Sequence, residues 1–149
     1  MNSNNMIDML NHLLEMELMA VEYYRIHADS ITEPEIAQGV SSILPAEHAH
    51  AVSLTTRIIE LGGVPVKPGG SASAKGREMG ESSKHKGTLA MLKLELEQEQ
   101  HAIKGYAGPV ADILTDIDTL ELLEEQLFDE MRHAKWLKQK IMELEDSSE

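Results

Sequence analysis

Apolar residues recur along most of the chain at intervals of three and four, the period of a helix buried on one face. The first such stretch runs from about Met6 to Ala28, on Met6, Leu10, Leu13, Val21 and Tyr24. Asn5 is placed to cap it, and Asp8 to favour its N-terminal end. Glu17 falls where that stripe should be apolar, whereas Glu15 and Glu22 fall off it. After a short turn, Asp29 to Thr32, the run Thr32-Glu33-Pro34-Glu35 reads as a capping box with proline in the first turn. The second helix follows on Ile36, Val40, Ile43, Glu47, His50, Leu54 and Leu61, and Gly62-Gly63 and Pro65 stop it. Pro45 should kink or split this helix one turn before Glu47.

The third helix carries Leu89, Leu92, Leu96, Glu99, Ile103, Tyr106 and Val110, in alternating steps of three and four. Of Glu95, Glu97 and Glu99, only Glu99 sits on that seam. Gly108-Pro109 is expected to bend or end the helix. Asp118-Thr119-Leu120-Glu121 offers a capping box for the fourth, which runs on Leu123, Leu127, Glu130, His133 or Ala134, Leu137, Ile141 and Leu144 into an acidic tail, Glu145 to Glu149.

Residues 62–87 break the pattern. They are rich in Gly and Ser, with Pro65, Pro68 and four lysines (Lys67, Lys75, Lys84, Lys86), and read as a structureless connection. Such length inside a compact domain needs a reason. The reading is two helical hairpins joined by a crossover that travels the length of an antiparallel four-helix bundle; at roughly 3.3 Å per residue the segment spans it with slack. Both termini are expected at one end of the bundle, the crossover outside it, and residues 1–149 in one domain.

Composition narrows the function. Aromatics are only 3 % of the chain and nine residues are Met, a palette that suits helices better than sheets. The net charge of −13 repels phosphate backbones and anionic lipid, so neither nucleic acid nor membrane is an expected partner. With no Cys there are no disulfides, thiolate zinc sites or iron–sulfur clusters. No signal peptide or membrane span is recognised, and the expected location is the cytoplasm.

The candidate chemistry lies in a repeated pattern. Glu47 and His50 form a Glu-x-x-His motif, with Glu17 thirty residues upstream (47 − 17). Glu130 and His133 form another, with Glu99 thirty-one upstream (130 − 99). Glu17 and Glu99 each have a tyrosine seven residues on, Tyr24 and Tyr106. Residues three apart on a helix face the same side, so each motif projects a carboxylate and an imidazole together. Two bridging carboxylates, two terminal carboxylates and two histidines would carry −4, matching two divalent ions, and this N/O set suits Fe or Mn. Four buried carboxylates without cations would be intolerable. A single Glu-x-x-His means little; two, each with a matched seam glutamate, are a strong signal. Tyr24 and Tyr106 should lie near the site with hydroxyls that need partners. Trp136 reads as a packing residue, His48 as surface or interface, His27 as structural at the bundle end, and His12, His85 and His101 as solvated. The methionines, Met6 and Met9 among them, read as core filler.

At these residues the chain resembles a family. The run Leu14-Glu15-Met16-Glu17-Leu18-Met19-Ala20-Val21-Glu22-Tyr23-Tyr24 is similar to the first helix of bacterioferritins, and Asp129-Glu130-Met131-Arg132-His133-Ala134-Lys135-Trp136-Leu137 to their last metal-binding helix. The resemblance covers all four helices and implies the ferritin-like fold of the di-iron carboxylate proteins, close to bacterioferritin or a Dps-like ferritin with a bacterioferritin-type site. It implies Glu47 and Glu130 as bridging ligands, Glu17 with His50 on one metal, and Glu99 with His133 on the other. It implies two Fe (or Mn) ions per chain, and these six residues carrying out ferroxidase chemistry with O2 or H2O2. A homo-oligomer, from dimer to dodecamer, is expected with it. Where bacterioferritins have a haem-ligating Met, this chain has His48, which argues against haem. The fourth helix is the last that the pattern gives, so the short fifth helix that lines the pores of 24-subunit ferritin shells is expected to be missing. The Gly/Ser-rich crossover is unlike one that packs firmly against the bundle. The competing readings are a rubrerythrin- or manganese-catalase-like peroxide oxidoreductase, and a metal-stabilised helical assembly module without catalysis.

Overall fold

The structure, a computed structural model, describes residues 2–147. It contains five helices: α1 (Ser3–Ser30), α2 (Pro34–Glu60), α3 (Ser71–Ser83), α4 (Thr88–Asp112) and α5 (Ile117–Ser147), with a 3-10 turn at Lys84–Lys86 between α3 and α4. The four long helices form the expected antiparallel bundle of two hairpins, α1–α2 and α4–α5.

Local ends differ from expectation in instructive ways. Asn2, not Asn5, caps α1; its side chain accepts from Asn5 N at 2.9 Å. No capping box forms at α2, because Glu33 occupies the N-cap position and its carboxylate accepts instead from the hydroxyls of Thr32 and Thr88. At α5 the cap is Asp116, upstream of the expected box: it accepts from Thr119 N at 3.0 Å and Thr119 Oγ1 at 2.7 Å, and Arg57 braces it. Helix α2 runs unbroken through Pro45; Ser41, whose carbonyl loses its partner there, is exposed to water. Helix α4 likewise continues past Pro109 for one turn, and Ile113 N closes it on Pro109 O at 2.9 Å. The acidic tail is helical to Ser147, and residues 148–149 lie outside the described residues.

Two expectations are overturned outright. The first concerns the termini. Asn2 lies with Leu61 and residues 112–116, at the end where α2 and α4 finish and α5 begins. The opposite end gathers the start of α2 and the end of α5 (Lys140–Glu35, 3.1 Å) and the start of α4 (Lys93–Glu145, 3.0 Å). The termini therefore lie at opposite ends. A full-length crossover adds a fifth traverse, and an odd number of traverses separates them.

The second concerns the crossover, which is not structureless. Residues Ser73, Gly76, Gly80 and Ser83, spaced as one helical stripe, are buried against α1. A Cβ on Gly76 would stand 2.3 Å from Met19 O, and one on Gly80 would stand 2.8 Å from Ile26 Cδ1. Small residues let the α3 backbone lie directly on α1, and that packing outweighs the poor helix propensity of glycine.

A buried polar chain holds the join. His27 Nδ1 meets Glu95 Oε2 at 2.6 Å, and His27 Nε2 meets Ser83 Oγ at 2.6 Å, linking α1, α4 and α3. His27 and Glu95 are 0 % exposed, so Glu95 is no solvated residue off the seam. The innermost stripe of α4 is Leu92, Glu95, Glu99, Ala102 and Tyr106, while Leu96 and Ile103 are half-buried. Ser83 Oγ donates to Met79 O at 2.6 Å, so His27 Nε2–H donates to Ser83 and Nδ1 accepts a hydrogen bond from the Glu95 carboxyl. Burial, then the charge of Glu99, raises the Glu95 pKa, which keeps that proton in place. Burial lowers the His27 pKa to about 4, which keeps the ring neutral.

Two apolar clusters fill the bundle. One gathers Met6, Leu10, Leu13, Leu54, Ile58 and Leu123; the other gathers Tyr23, Ile36, Val40, Met91, Leu92 and Leu137. The sequence-predicted carboxylates lie along the helices between them.

This arrangement predicts that His27→Ala destabilises the fold by about 3 kcal/mol, since it orphans two buried groups. Glu95→Gln, whose amide donates to Nδ1 at any pH, should cost less than about 1 kcal/mol near neutrality. A carboxyl whose pKa is raised on folding stabilises below its unfolded pKa and loses that contribution as pH rises through the folded one; Glu95→Gln should flatten this alkaline loss. The lowered His27 pKa acts in the other direction, removing stability as pH falls from about 6.5 towards 4 in both proteins. Urea melts across pH measure both slopes, and identical alkaline slopes for the two proteins would contradict the proton placement.

Candidate metal centre

Each of the four long helices turns a carboxylate into the space between the apolar clusters. Glu17 comes from α1, Glu47 and His50 from α2, Glu99 from α4, and Glu130 and His133 from α5. The four glutamates are 1–2 % exposed and His50 is 4 % exposed. His133 is half-buried. All six sequence-predicted residues meet. Their ligand atoms fall into two groups, Glu17–Glu47–His50–Glu130 and Glu47–Glu99–Glu130–His133, each with its atoms within 4.8 Å of one another. Glu47 and Glu130 belong to both groups.

The two tyrosines are also where they were expected, but each serves the other hairpin. Tyr24 on α1 donates to Glu99 Oε1 at 2.6 Å, and Tyr106 on α4 donates to Glu17 Oε1 at 2.8 Å. One oxygen of each outer glutamate is thus tied back. The other, Glu17 Oε2 or Glu99 Oε2, is buried without a hydrogen-bond partner among the described residues, and so are Glu47 Oε1, Glu130 Oε1, His50 Nδ1 and His133 Nδ1.

These orphaned atoms test whether the residues fit a metal. His50 Nδ1 lies 2.9 Å from Glu130 Oε1 and 3.4 Å from Glu17 Oε2, and His133 Nδ1 lies 3.2 Å from Glu47 Oε1. The contacts are close, yet none has hydrogen-bond geometry. Six buried donor atoms converge with nothing to satisfy them, an arrangement that costs several kcal/mol per carboxylate unless cations fill it. Four carboxylates and two imidazoles fit two divalent ions of intermediate hardness. The residues present therefore fit the group.

Proton occupancy shows the same strain. Burial, then the charges of Glu17 and Glu99, raises the Glu47 pKa; burial, then Glu17 and Glu47, raises that of Glu130. Burial opposes charge on His50, but its contacts with Glu130 and Glu17 win and lift its pKa to about 9. Burial also opposes the charge on Glu99, and is outweighed by Glu130, His133 and Tyr24, so its pKa falls. Without cations, the cluster holds protons in their place.

Three contributors were not legible as such in the sequence. His50 Nε2 meets Asp129 Oδ2 at 2.7 Å, which fixes the ring with Nδ1 toward the glutamates. Asp129 is off the apolar stripe and also pairs with Arg132, so pattern alone reads it as surface. Gln126 Nε2 donates to Tyr106 OH at 2.7 Å; it lies one turn before Glu130, where the sequence reading took Leu127. Glu95 is the third, one turn before Glu99. Of the remaining histidines, His12, His48, His85 and His101 are exposed. Trp136 lies on Gly39, where a Cβ would come 2.0 Å from its ring.

Residues 7–147 match the family model of the ferritin-like domain, and the chain belongs to that family. The fold is shared with a dodecameric thioferritin, the bacterioferritin-related protein of Bacteroides fragilis, at a TM-score of 0.83 and 22 % identity over 99 % of this chain and 90 % of that one. It is shared too with a ferritin-like, diiron-carboxylate protein of Bacillus anthracis str. Ames, at a TM-score of 0.72 and 22 % identity over 95 % of this chain and 99 % of that one. None of the curated proteins matches the chain.

Because the raised pKa values of Glu47, Glu130 and His50 favour protons that a cation must displace, loading the metal-free protein with a divalent ion at pH 7 should release protons. Affinity should weaken steadily as pH falls from about 9. Calorimetry in two buffers of different ionisation enthalpy counts the protons; none released at pH 7 would mean that the cluster is already ionised.

Proposed function

We propose that Glu17, Glu47, His50, Glu99, Glu130 and His133 hold two metal ions, and that the protein is a ferroxidase-type oxidoreductase that oxidises Fe2+ with O2 or H2O2. Its role on this reading is iron handling, storage or protection from oxidants. The observation that carries it is the six buried, unpartnered ligand atoms in two groups that share Glu47 and Glu130. Iron in such a pair can deliver two electrons to one oxidant: two Fe2+, one H2O2 and two protons give two Fe3+ and two waters.

The chain's own residues set the conditions. Shared carboxylates Glu47 and Glu130 hold both positions close together. The tyrosine hydroxyls fix Glu17 and Glu99 so that a single oxygen of each faces inward. Asp129 keeps the His50 ring in one tautomer. The apolar clusters on either side exclude bulk water, which strengthens every charge interaction inside. With Glu47 and Glu130 shared, each position would have four protein groups, three carboxylates and one histidine, which leaves room for an oxidant.

The whole chain is taken as one ferritin-like domain. The dodecameric state of the Bacteroides neighbour supports a homo-oligomer here. No helix among the described residues is long and apolar enough to cross a membrane, and the absence of cysteine fits a reducing cytoplasm. Manganese accepts the same ligands, so metal content of the purified protein decides between ferroxidase and a manganese peroxide oxidoreductase.

Stopped-flow absorbance after addition of Fe2+ tests the reading. Wild type should oxidise iron at least about tenfold faster than Glu47→Ala or His133→Ala, since each variant removes a group that positions the reacting ions. Equal rates in the three proteins reject ferroxidase activity and leave the manganese or structural alternatives.

A further inference from the structure

We propose that the seam between α1 and α4 is the way in for a small neutral oxidant, O2 or hydrogen peroxide, and that Met16 is its gate; this rests on the di-metal reading above.

A void of about 10 Å³ opens in that seam, with Glu17, Glu47 and Glu130 as its floor. That volume admits roughly one water-sized molecule. Its walls are Met16, Ala20, Tyr23, Gln98 and Ala102, a thioether, two methyls, a ring and a neutral amide. A hydrated cation would lose its water against such walls without replacement, whereas a small uncharged molecule loses little. The larger cleft between α2 and α5 has the opposite chemistry. Asp118, Glu121, Glu125 and Asp129 line it, and it reaches His50 but none of the four cluster glutamates.

Met16 divides the void from the surface. It lines the seam, and it also lines an outer groove of about 270 Å³ with His12, Glu15, Met19 and Lys75. Its far end fills the place that Gly105 of α4 leaves without a side chain; a Cβ there would stand 2.7 Å from Met16 Cε. Methionine, unbranched and with three rotatable bonds, suits a plug that yields.

The repeat shows which features belong to the seam. Adding 82, the offset from Glu17 to Glu99, pairs Ala20 with Ala102, Met16 with Gln98 and Tyr23 with Gly105. The alanines thus face each other across the seam and keep it thin from both sides. The other two pairs are unlike: one half brings the plug and a ring, the other an amide and an empty position. Close-packed interiors leave few such gaps.

Methyl NMR of the metal-free protein under dissolved O2 tests the seam without any metal. Ala20 and Ala102 are 3 % and 6 % exposed, and Ala134 and Ala51, away from the seam, are matched at 3 % and 6 %. Oxygen-induced relaxation should be stronger at Ala20, Ala102 and Met16 than at the matched pair; equal relaxation at all four alanines overturns the proposal. The second arm compares wild type with Ala20→Leu and Ala102→Leu. Both variants should bind Co2+ with wild-type stoichiometry, while in the Fe2+-loaded proteins the second-order rate constant for oxidation of the iron by peroxide falls about tenfold, as blocking a gate requires. Unchanged peroxide dependence in variants that still bind Co2+ overturns the gate. A wild type that binds no Co2+ removes the di-metal reading instead, and the alanine relaxation still decides the seam.

Discussion

Four carboxylates meeting in the dry middle of a helical bundle set the terms for everything around them. Glu17, Glu47, Glu99 and Glu130 are each 1–2 % exposed, and each leaves one oxygen without a hydrogen bond. Mutual repulsion at such range would drive the helices apart if all were ionised. The protein answers in two ways. Protons are retained on Glu47 and Glu130, whose pKa values burial and neighbouring charge push up. Packing on both sides of the cluster then keeps the strained middle closed. A fold with this much unsatisfied polarity at its centre is an incomplete one, and two divalent ions are the completion its charge and ligand atoms describe.

The bundle is a repeat whose halves hold one another's ligands. Tyr24 and Glu17 share α1, yet Tyr24 binds Glu99 of the second hairpin, and Tyr106 binds Glu17 of the first. Neither hairpin can fix its own outer glutamate, so docking of the hairpins and formation of the site are one event. The repeat is also unequal. Adding 83, the offset from Glu47 to Glu130, pairs Ile43 with Gln126 and Ala46 with Asp129. Among the described residues, only Tyr106 of the two tyrosines therefore receives a side-chain amide, and only His50 of the two cluster histidines is held at Nε2 by a carboxylate. The two candidate metal positions share a ligand set but not a setting.

How legible this was depended on whether a residue broke its own helix's pattern. Glu17, Glu47, Glu99 and Glu130 each occupy a position that periodicity reserves for an apolar side chain, and the matched spacing of two motifs supplied the rest. Glu95 was missed by the same logic: reading α4 as an unbroken apolar seam favoured Leu96 and Ile103 and passed over Glu95 and Ala102, the true inner face. Asp129 sits on a half-exposed flank, where an aspartate predicts nothing. Helix α3 was hidden because its buried stripe consists of Ser and Gly, residues that usually mark a loop. What makes them helical is the surface of α1 at Met19 and Ile26, a tertiary fact with no local trace. The placement of the termini failed for a topological reason, since the crossover was counted as a connection and not as a traverse.

The crossover links these observations. Running the length of the bundle inverts the second hairpin, which sets α4 antiparallel to α1 and brings Ala102 opposite Ala20. The same segment returns as α3 to pack on α1, where His27 ties it through Ser83 and reaches Glu95 on the far side. Helix α1 is thus held by α2, by α3 and, through His27, by α4. The seam near Met16 is left thin while Tyr23 to His27 are clamped about two to three turns further along the same helix. A rigid anchor beside a small-residue gap lets one flexible side chain move without loosening the carboxylates beneath it. The Gly/Ser composition that concealed α3 is, on this view, a requirement of the site: only a helix with almost no side chains on one face could lie close enough to α1 to anchor it there.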